Sequence, residues 1–268
     1  FRSRLQDMSG MNHIYGRNFK VEVGATRMSG EMNTSLGNGF SNLMFMLFAC
    51  EVAGSDNVIG VVEGDDGLFR VDGNHPTEET FREMGLTIKL ERVRDISSAS
   101  FCGLIFDEED LVNIADPIKV LLSFGWTDKK YSNARTKKLK MLLRSKSLSL
   151  LYEYRNAPIF QALARYGLRV TEGTRAVSSS HYNLYERELF QESYNFYNKH
   201  ADVLYKPVPL RTRILMEREF GLSVESQLQI EAKLDGLDSL TELDLEIVTF
   251  MCHGDSRKMW DEYVHYLP

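Results

Sequence analysis

The chain is short of the features that would assign it at once. Its 268 residues hold three cysteines, Cys50, Cys102 and Cys252, an odd number at wide spacing with no Cys-x-x-Cys. That argues against a disulfide framework and a thiolate zinc site, and suits a reducing compartment. The six histidines, His13, His75, His181, His200, His253 and His265, show no His-Glu-x-x-His or other ligand spacing, so they read as structural. The longest apolar run, Leu43–Cys50, is too short to span a bilayer. FRSRLQ at the N-terminus has no apolar core, so no signal peptide is expected there. An excess of positive charge is lacking too. The formal net charge is −6, so any nucleic-acid contact must come from a local basic patch. There is no repeat period, low-complexity tract or long linker.

What is present is ordinary for a globular chain: 43% hydrophobic and 26% charged residues, enough for one large domain or two smaller ones. The chain begins at Phe1 rather than Met, which reads as a piece of a longer protein. FKVEVGAT (19–26) alternates as a half-buried strand does. RMSGEMNTSLGNGF is a glycine-bearing loop running into a nearly all-apolar helix, SNLMFMLFACEVAG, which Gly54 stops. NVIGVVEGDDGLFRVDG predicts a hairpin with strands at 58–63 and 67–71. HPTEETFREMG predicts a helix opened at Pro76 and Thr77 and closed at Gly85. LTIKLERV (86–93) alternates as a strand, and 100–107 with 111–116 predict a second hairpin turned at EED. Beyond about residue 117 helical periodicity dominates, with Pro158 near one helix start and Gly167 at its end, and further helices expected over 184–200, 210–221, 223–236 and 243–254. The plan is α+β, with a strand-rich part, 1–115, before a helical part, 116–268. The aromatic residues of 182–197 read as helical core.

VVEGDDGLF sets Asp65 and Asp66 side by side between two apolar, β-prone runs. Adjacent carboxylates repel, and their burial is costly unless they are paired or bound to metal. A polar turn is the plain explanation. A rigid turn that holds two hard oxygen donors for Mg²⁺ is the chemical one. Upstream, Ser29-Gly30 makes a flexible turn, and Thr34 and Asn38, four apart, share one helix face. A hydroxyl and an amide in line suit the reading of sugar hydroxyls, while Asn33 or Thr34 also suits a helix cap.

Together these segments resemble motifs B and C of positive-strand RNA virus RNA-dependent RNA polymerases. The pattern S-G-x-x-x-T-x-x-x-N is carried by Ser29, Gly30, Thr34 and Asn38. G-D-D follows about 25 residues later, at Gly64, Asp65 and Asp66. The wording looks most like tombusvirus-like polymerases. FREMGLTIKLE resembles motif D, with Lys89 as its lysine. SFCGLIF resembles motif E, the hairpin that grips the primer strand, through Phe101, Cys102 and Gly103.

The resemblance implies a partial right-hand palm, an antiparallel sheet with helices, followed by a mostly α-helical thumb. It makes Asp65 the main ligand of two Mg²⁺ or Mn²⁺ ions in the complete enzyme, with Asp66 assisting. Thr34 and Asn38 would check the ribose 2′-hydroxyl, and Ser29 and Gly30 would form a loop that moves as the template steps. Lys89, otherwise a solvated lysine, would protonate the leaving pyrophosphate. Implied partners are an RNA template, a primer or product strand, nucleoside triphosphates and other viral replication proteins. The implied place is the host cytoplasm, at membrane-associated replication complexes, with no membrane span in this chain.

One departure matters. The family's motif A supplies a metal-binding D-x-x-x-x-D ahead of motif B. Only 28 residues precede Ser29, and Asp7 is their sole aspartate. The basic motif F is missing as well. The expectation is therefore a C-terminal portion, inactive alone, whose fingers and motif A lie upstream or on another polypeptide. The alternatives are a divided polymerase and a non-catalytic, polymerase-derived RNA-binding or assembly module. A reverse-transcriptase-like enzyme fits poorly, because S-G…T…N and glycine before the paired aspartates are not its pattern. KKYSNARTKKLKMLLRSK (129–146) supports RNA. It carries eight basic residues, Lys137, Lys138, Lys140 and Arg144 among them, and no acid. Its plain explanation is a solvated helix face.

Overall fold

The computed structural model describes residues 10–24, 34–127, 129–131, 133–177, 184–241, 257, 258 and 261. The chain divides into two compact units, Phe1–Arg92 and Val93–Pro268.

In the first unit β1 (Met11–Tyr15) pairs antiparallel with β2 (Lys20–Gly24), from Met11 opposite Gly24 to Tyr15 opposite Lys20. The predicted strand at 19–26 is thus found at 20–24, with a partner that sequence alternation did not signal. Helix α1 (Thr34–Ala53) ends where Gly54 takes φ 71°, a left-handed stop that costs glycine nothing. β3 (Ser55–Glu63) and β4 (Asp66–Gly73) form an antiparallel hairpin whose closing pair is Glu63 with Asp66. The two-residue connection is Gly64-Asp65. Gly64 sits at φ 58°, as the first position of a primed hairpin turn requires. Helix α2 (Glu78–Glu83) is capped by Thr77, in a reciprocal box with Thr80, and Glu78 and Glu79 meet its positive end. Phe81 of α2 buries against Met46, Ala49 and Cys50 of α1, and these four make the small core of the unit.

The alternation at 86–93 is real but does not make a strand. Leu86, Ile88 and Leu90 pack toward that small core. The backbone turns to α2 instead of a ladder: Leu86 N donates to Phe81 O, and Leu90 N to Glu78 Oε1. Among the described residues the strands therefore form three small sheets, of two, two and three strands.

The second unit begins with a short 3₁₀ turn (Ile96–Ser98), capped by Asp95. The predicted single strand 100–107 is split into β5 (Ser100–Phe101) and β6 (Leu104–Asp107). Cys102 and Gly103 between them take φ 52° and 73°, the left-handed pair of a type I′ turn. β7 (Val112–Ile114) completes the sheet, and Asp107 holds the β6–β7 connection by accepting from Glu109 N and Asp110 N. Helices α3 (Pro117–Ser123), α4 (Thr136–Glu153), α5 (Phe160–Val170), α6 (Leu184–His200), α7 (Leu210–Phe220) and α8 (Val224–Asp235) follow. Their apolar stripes and the strands share one core, with Ile105 and Ile114 of the sheet beside Leu148, Phe160, Leu163 and Met216 of the helices. Phe190, Phe196 and Tyr197 pack against it, as the aromatic pattern predicts, while Tyr194 is exposed. The helix expected over 243–254 lies outside the described residues.

Gly167 does not end its helix. α5 runs on to Val170, and a Cβ at Gly167 would collide with Ser147 Oγ of α4. The glycine is there so that two helices can approach. Arg213 of α7 makes a bidentate pair with Glu231 of α8 at 2.9 and 2.8 Å, and Glu231 also accepts from Ile159 N at 2.8 Å. Both side chains are largely buried, so each charge needs the other.

Candidate active site

Asp65 stands exposed at the tip of the β3–β4 hairpin, and Asp66, half-buried, opens β4. Asp66 Oδ1 accepts from Gly67 N at 2.9 Å, which fixes one carboxylate oxygen beside the turn. The support is helix α1. Gly39 lies against the connection: a Cβ there would be 3.6 Å from both Gly64 N and Val62 Cγ2. Ser35 Oγ donates to Glu63 Oε1 at 2.5 Å, and Asn42 Nδ2 donates to the main-chain oxygen of Asp66 at 3.0 Å. Thr34 and Asn38, both half-buried, lie on the adjoining strip of the same helix. The structure thus brings the candidate sugar-reading residues and the acidic turn onto two contacting elements. Ser29 and Gly30 lie outside the described residues.

The motif that carries the aspartates was plain in the sequence, but Ser35, Gly39 and Asn42 were not singled out. Their signal was available. They recur at i, i+4 and i+7, and Asn42 is a lone amide at the head of an apolar run. By length and composition α1 would suit a membrane span. Its polar strip is bonded to the hairpin and its Met46, Ala49 and Cys50 are buried with Phe81, while Phe40, Met44, Phe45, Phe48 and Val52 stay exposed.

Two carboxylates on a rigid turn suit Mg²⁺ or Mn²⁺, which prefer oxygen donors. Among the described residues no third Asp, Glu, His or Cys joins them. Lys89 follows the hairpin in sequence. It is 86% exposed and ion-paired with Glu91, whose hydrogen bond raises the lysine pKa above its ordinary value.

The other candidates belong to the second unit. Phe101 is half-buried, and Cys102 and Gly103 are exposed at the tip of the β5–β6 turn. On α4 a spacing of three and then four puts Lys137, Lys140 and Arg144 on one face. Lys138 points elsewhere, over the ring of Tyr131 at 5.6 Å, and Lys130 lies over the same ring at 5.2 Å. Arg144 is taken up internally. Its Nη1 donates to Leu168 O at 3.1 Å and Thr171 O at 3.4 Å, closing the C-terminal end of α5. Lys140 and Lys146 border a mostly apolar cleft of about 500 Å³ that Trp126, Leu143 and Phe190 also line.

Residues 3–238 match the family described as viral RNA dependent RNA polymerase. The chain belongs to that family, and its tombusvirus-like wording fits within it. No curated protein matches the chain. It is an RNA-directed RNA polymerase domain, a nucleotidyltransferase of viral RNA replication. RNA template and nucleotides are its substrates, and divalent ions are general to its family.

Proposed function

We propose that this domain extends an RNA 3′-hydroxyl on an RNA template by a two-metal mechanism, with Asp65 as the main metal ligand and Asp66 assisting. The observation that carries this is the acidic turn, braced on the helix that bears Thr34 and Asn38. Two divalent ions, when bound, supply activation of the attacking oxygen and neutralisation of the leaving pyrophosphate. The residues of this chain position and select. Asn38 and Thr34 offer amide and hydroxyl groups to the ribose 2′-hydroxyl of the incoming nucleotide. Lys89 offers a proton to the departing pyrophosphate, while its ion pair with Glu91, which raises its pKa and makes it a weaker acid, weighs against that work. Ser29 and Gly30, which lie outside the described residues, act as the template steps.

The stretch 1–115 acts as palm and 116–268 as thumb. Phe101, Cys102 and Gly103 steady the primer strand. Lys137, Lys138 and Lys140 hold the RNA backbone, while the internal bonds of Arg144 weigh against the same work for it. The site takes its further carboxylate from a motif A that lies outside this sequence, in cis or in trans, so this chain alone is inactive. The polymerase works in the host cytoplasm, at membrane-associated complexes with other viral replication proteins.

The test is primer extension on an RNA template with Mg²⁺ or Mn²⁺, by the intact polymerase and its Asp65→Ala variant. The variant is expected to lose extension by at least about a hundredfold. Extension at the wild-type rate would remove Asp65 from the metal site. Failure of the unaltered polymerase to extend any primer would favour the non-catalytic module.

A further inference from the structure

Helix α1 grips the acidic turn at three successive heights. Ser35 bonds the Glu63 side chain before the turn, Gly39 lies against Gly64 within it, and Asn42 bonds the main-chain oxygen of Asp66 after it. The three contacts bracket Asp65. Asn42 also lies close to Gly67, where a Cβ would come within 3.2 Å of its Nδ2, so the amide sits beside the start of β4 as well as the Asp66 carbonyl. Asn42 is half-buried at the head of the run LMFMLFAC, where an amide is costly without a partner. It finds that partner on the one residue pair whose direction the chemistry depends on.

We infer that Asn42, with Ser35, is a positioning residue for catalysis. Together they lock the Gly64–Asp66 turn to helix α1, so that the carboxylates and the Thr34–Asn38 strip meet one nucleotide in a fixed relative orientation. This rests on the proposed metal role of Asp65 and Asp66. Positioning acts on the transition state more than on ground-state binding, so kcat falls while KM is kept. A looser carboxylate pair also penalises Mg²⁺, which demands near-ideal octahedral geometry, more than a tolerant ion.

The experiment compares Asn42→Leu, Asn42→Gln, Ser35→Ala and Asp65→Ala in the intact polymerase, by primer extension in Mg²⁺ and in Mn²⁺. Leucine keeps the volume and removes the donor, and glutamine keeps the donor. Asn42→Leu is expected to lower kcat in Mg²⁺ about tenfold with the nucleotide KM within about twofold, and to lose less in Mn²⁺. Asn42→Gln recovers part of the loss, and Ser35→Ala shows a smaller effect of the same kind. Amide hydrogen exchange at Gly67 is expected to quicken in Asn42→Leu while α2 keeps its protection. Activity of Asn42→Leu within twofold of wild type, with Asp65→Ala inactive, would overturn the positioning role alone. So would a loss equal in both metals that tracks a lower melting temperature, because that is merely structural. An active Asp65→Ala would overturn the reading of the site itself, and this inference with it.

Discussion

The two units differ most in what they bury. Among the described residues the Val93–Pro268 unit gathers twenty-five buried apolar side chains into one core, whereas the Phe1–Arg92 unit gathers four. The unit with the acidic turn instead leaves apolar surface open: Leu36 is 79% exposed, Phe40 63% and Ile59 62%. Its β3–β4 sheet has two strands, and such a hairpin is marginal without further cover. The helical unit has the buried area, the close α4–α5 contact at Gly167 and the Arg213–Glu231 pair to hold itself. The lesson is a division of labour. On the proposed reading, stability is concentrated where the chemistry is not. The acidic hairpin is fixed by a few directed hydrogen bonds rather than by volume.

The sharpest way to break this contrast is to truncate one leucine in each unit. Leu163→Ala, at a fully buried position, is expected to lower stability by about 2–5 kcal/mol in denaturant titration. Leu36→Ala is expected to stay within about 0.5 kcal/mol. Equal losses would show that the first unit buries far more than the four side chains around Phe81. Next in size is the basic stretch. Reversing the charge at Lys137, Lys138 and Lys140 is expected to weaken RNA binding about tenfold or more near 0.1 M salt and to flatten its salt dependence. An unchanged slope would make that face plain solvated surface. The smallest effect concerns pH. Asp72 accepts hydrogen bonds from Arg70 on its own strand and from Asn57 across the hairpin, which hold its pKa below the ordinary 3.8. A depressed carboxylate stabilises the folded form above that ordinary value, and the contribution is lost as pH falls below it. The protection of β3–β4 amides, relative to their intrinsic exchange rates, is therefore expected to fall slightly more on acidification below pH 4 in the wild type than in Asp72→Asn.

Much of this was legible in the chain. The hairpin around Gly64-Asp65 declared itself because two apolar β runs flank residues that only a tight turn can use. The α6, α7 and α8 helices followed their periodicity to within a residue or two. Thr77, with two acids after it, marked the start of α2. What escaped were features set by tertiary neighbours. Residues 86–93 alternate as a strand does, but alternation records only which side faces the core. The backbone partner proved to be a helix end. Gly167 looks like a stop because glycine is a poor helix former, and nothing local reveals Ser147 pressing against it. Arg144 looks like a surface cation because its partners are carbonyls of another helix, which leave no trace in composition. Cys102 conceals a turn because a cysteine at positive φ is an unusual occupant. In the site the family pattern drew attention to Thr34 and Asn38. The grip of Ser35, Gly39 and Asn42 on the hairpin needed three dimensions.

The central claim is that Asp65 and Asp66 hold divalent metal for catalysis. It is tested most directly by titrating Mn²⁺ into the intact polymerase and into its Asp65→Asn and Asp66→Asn variants, following bound ion by electron paramagnetic resonance. The account predicts that Asp65→Asn loses tight Mn²⁺ binding and that Asp66→Asn weakens it less, with the fold of both unchanged. Wild-type stoichiometry and affinity in Asp65→Asn would contradict it.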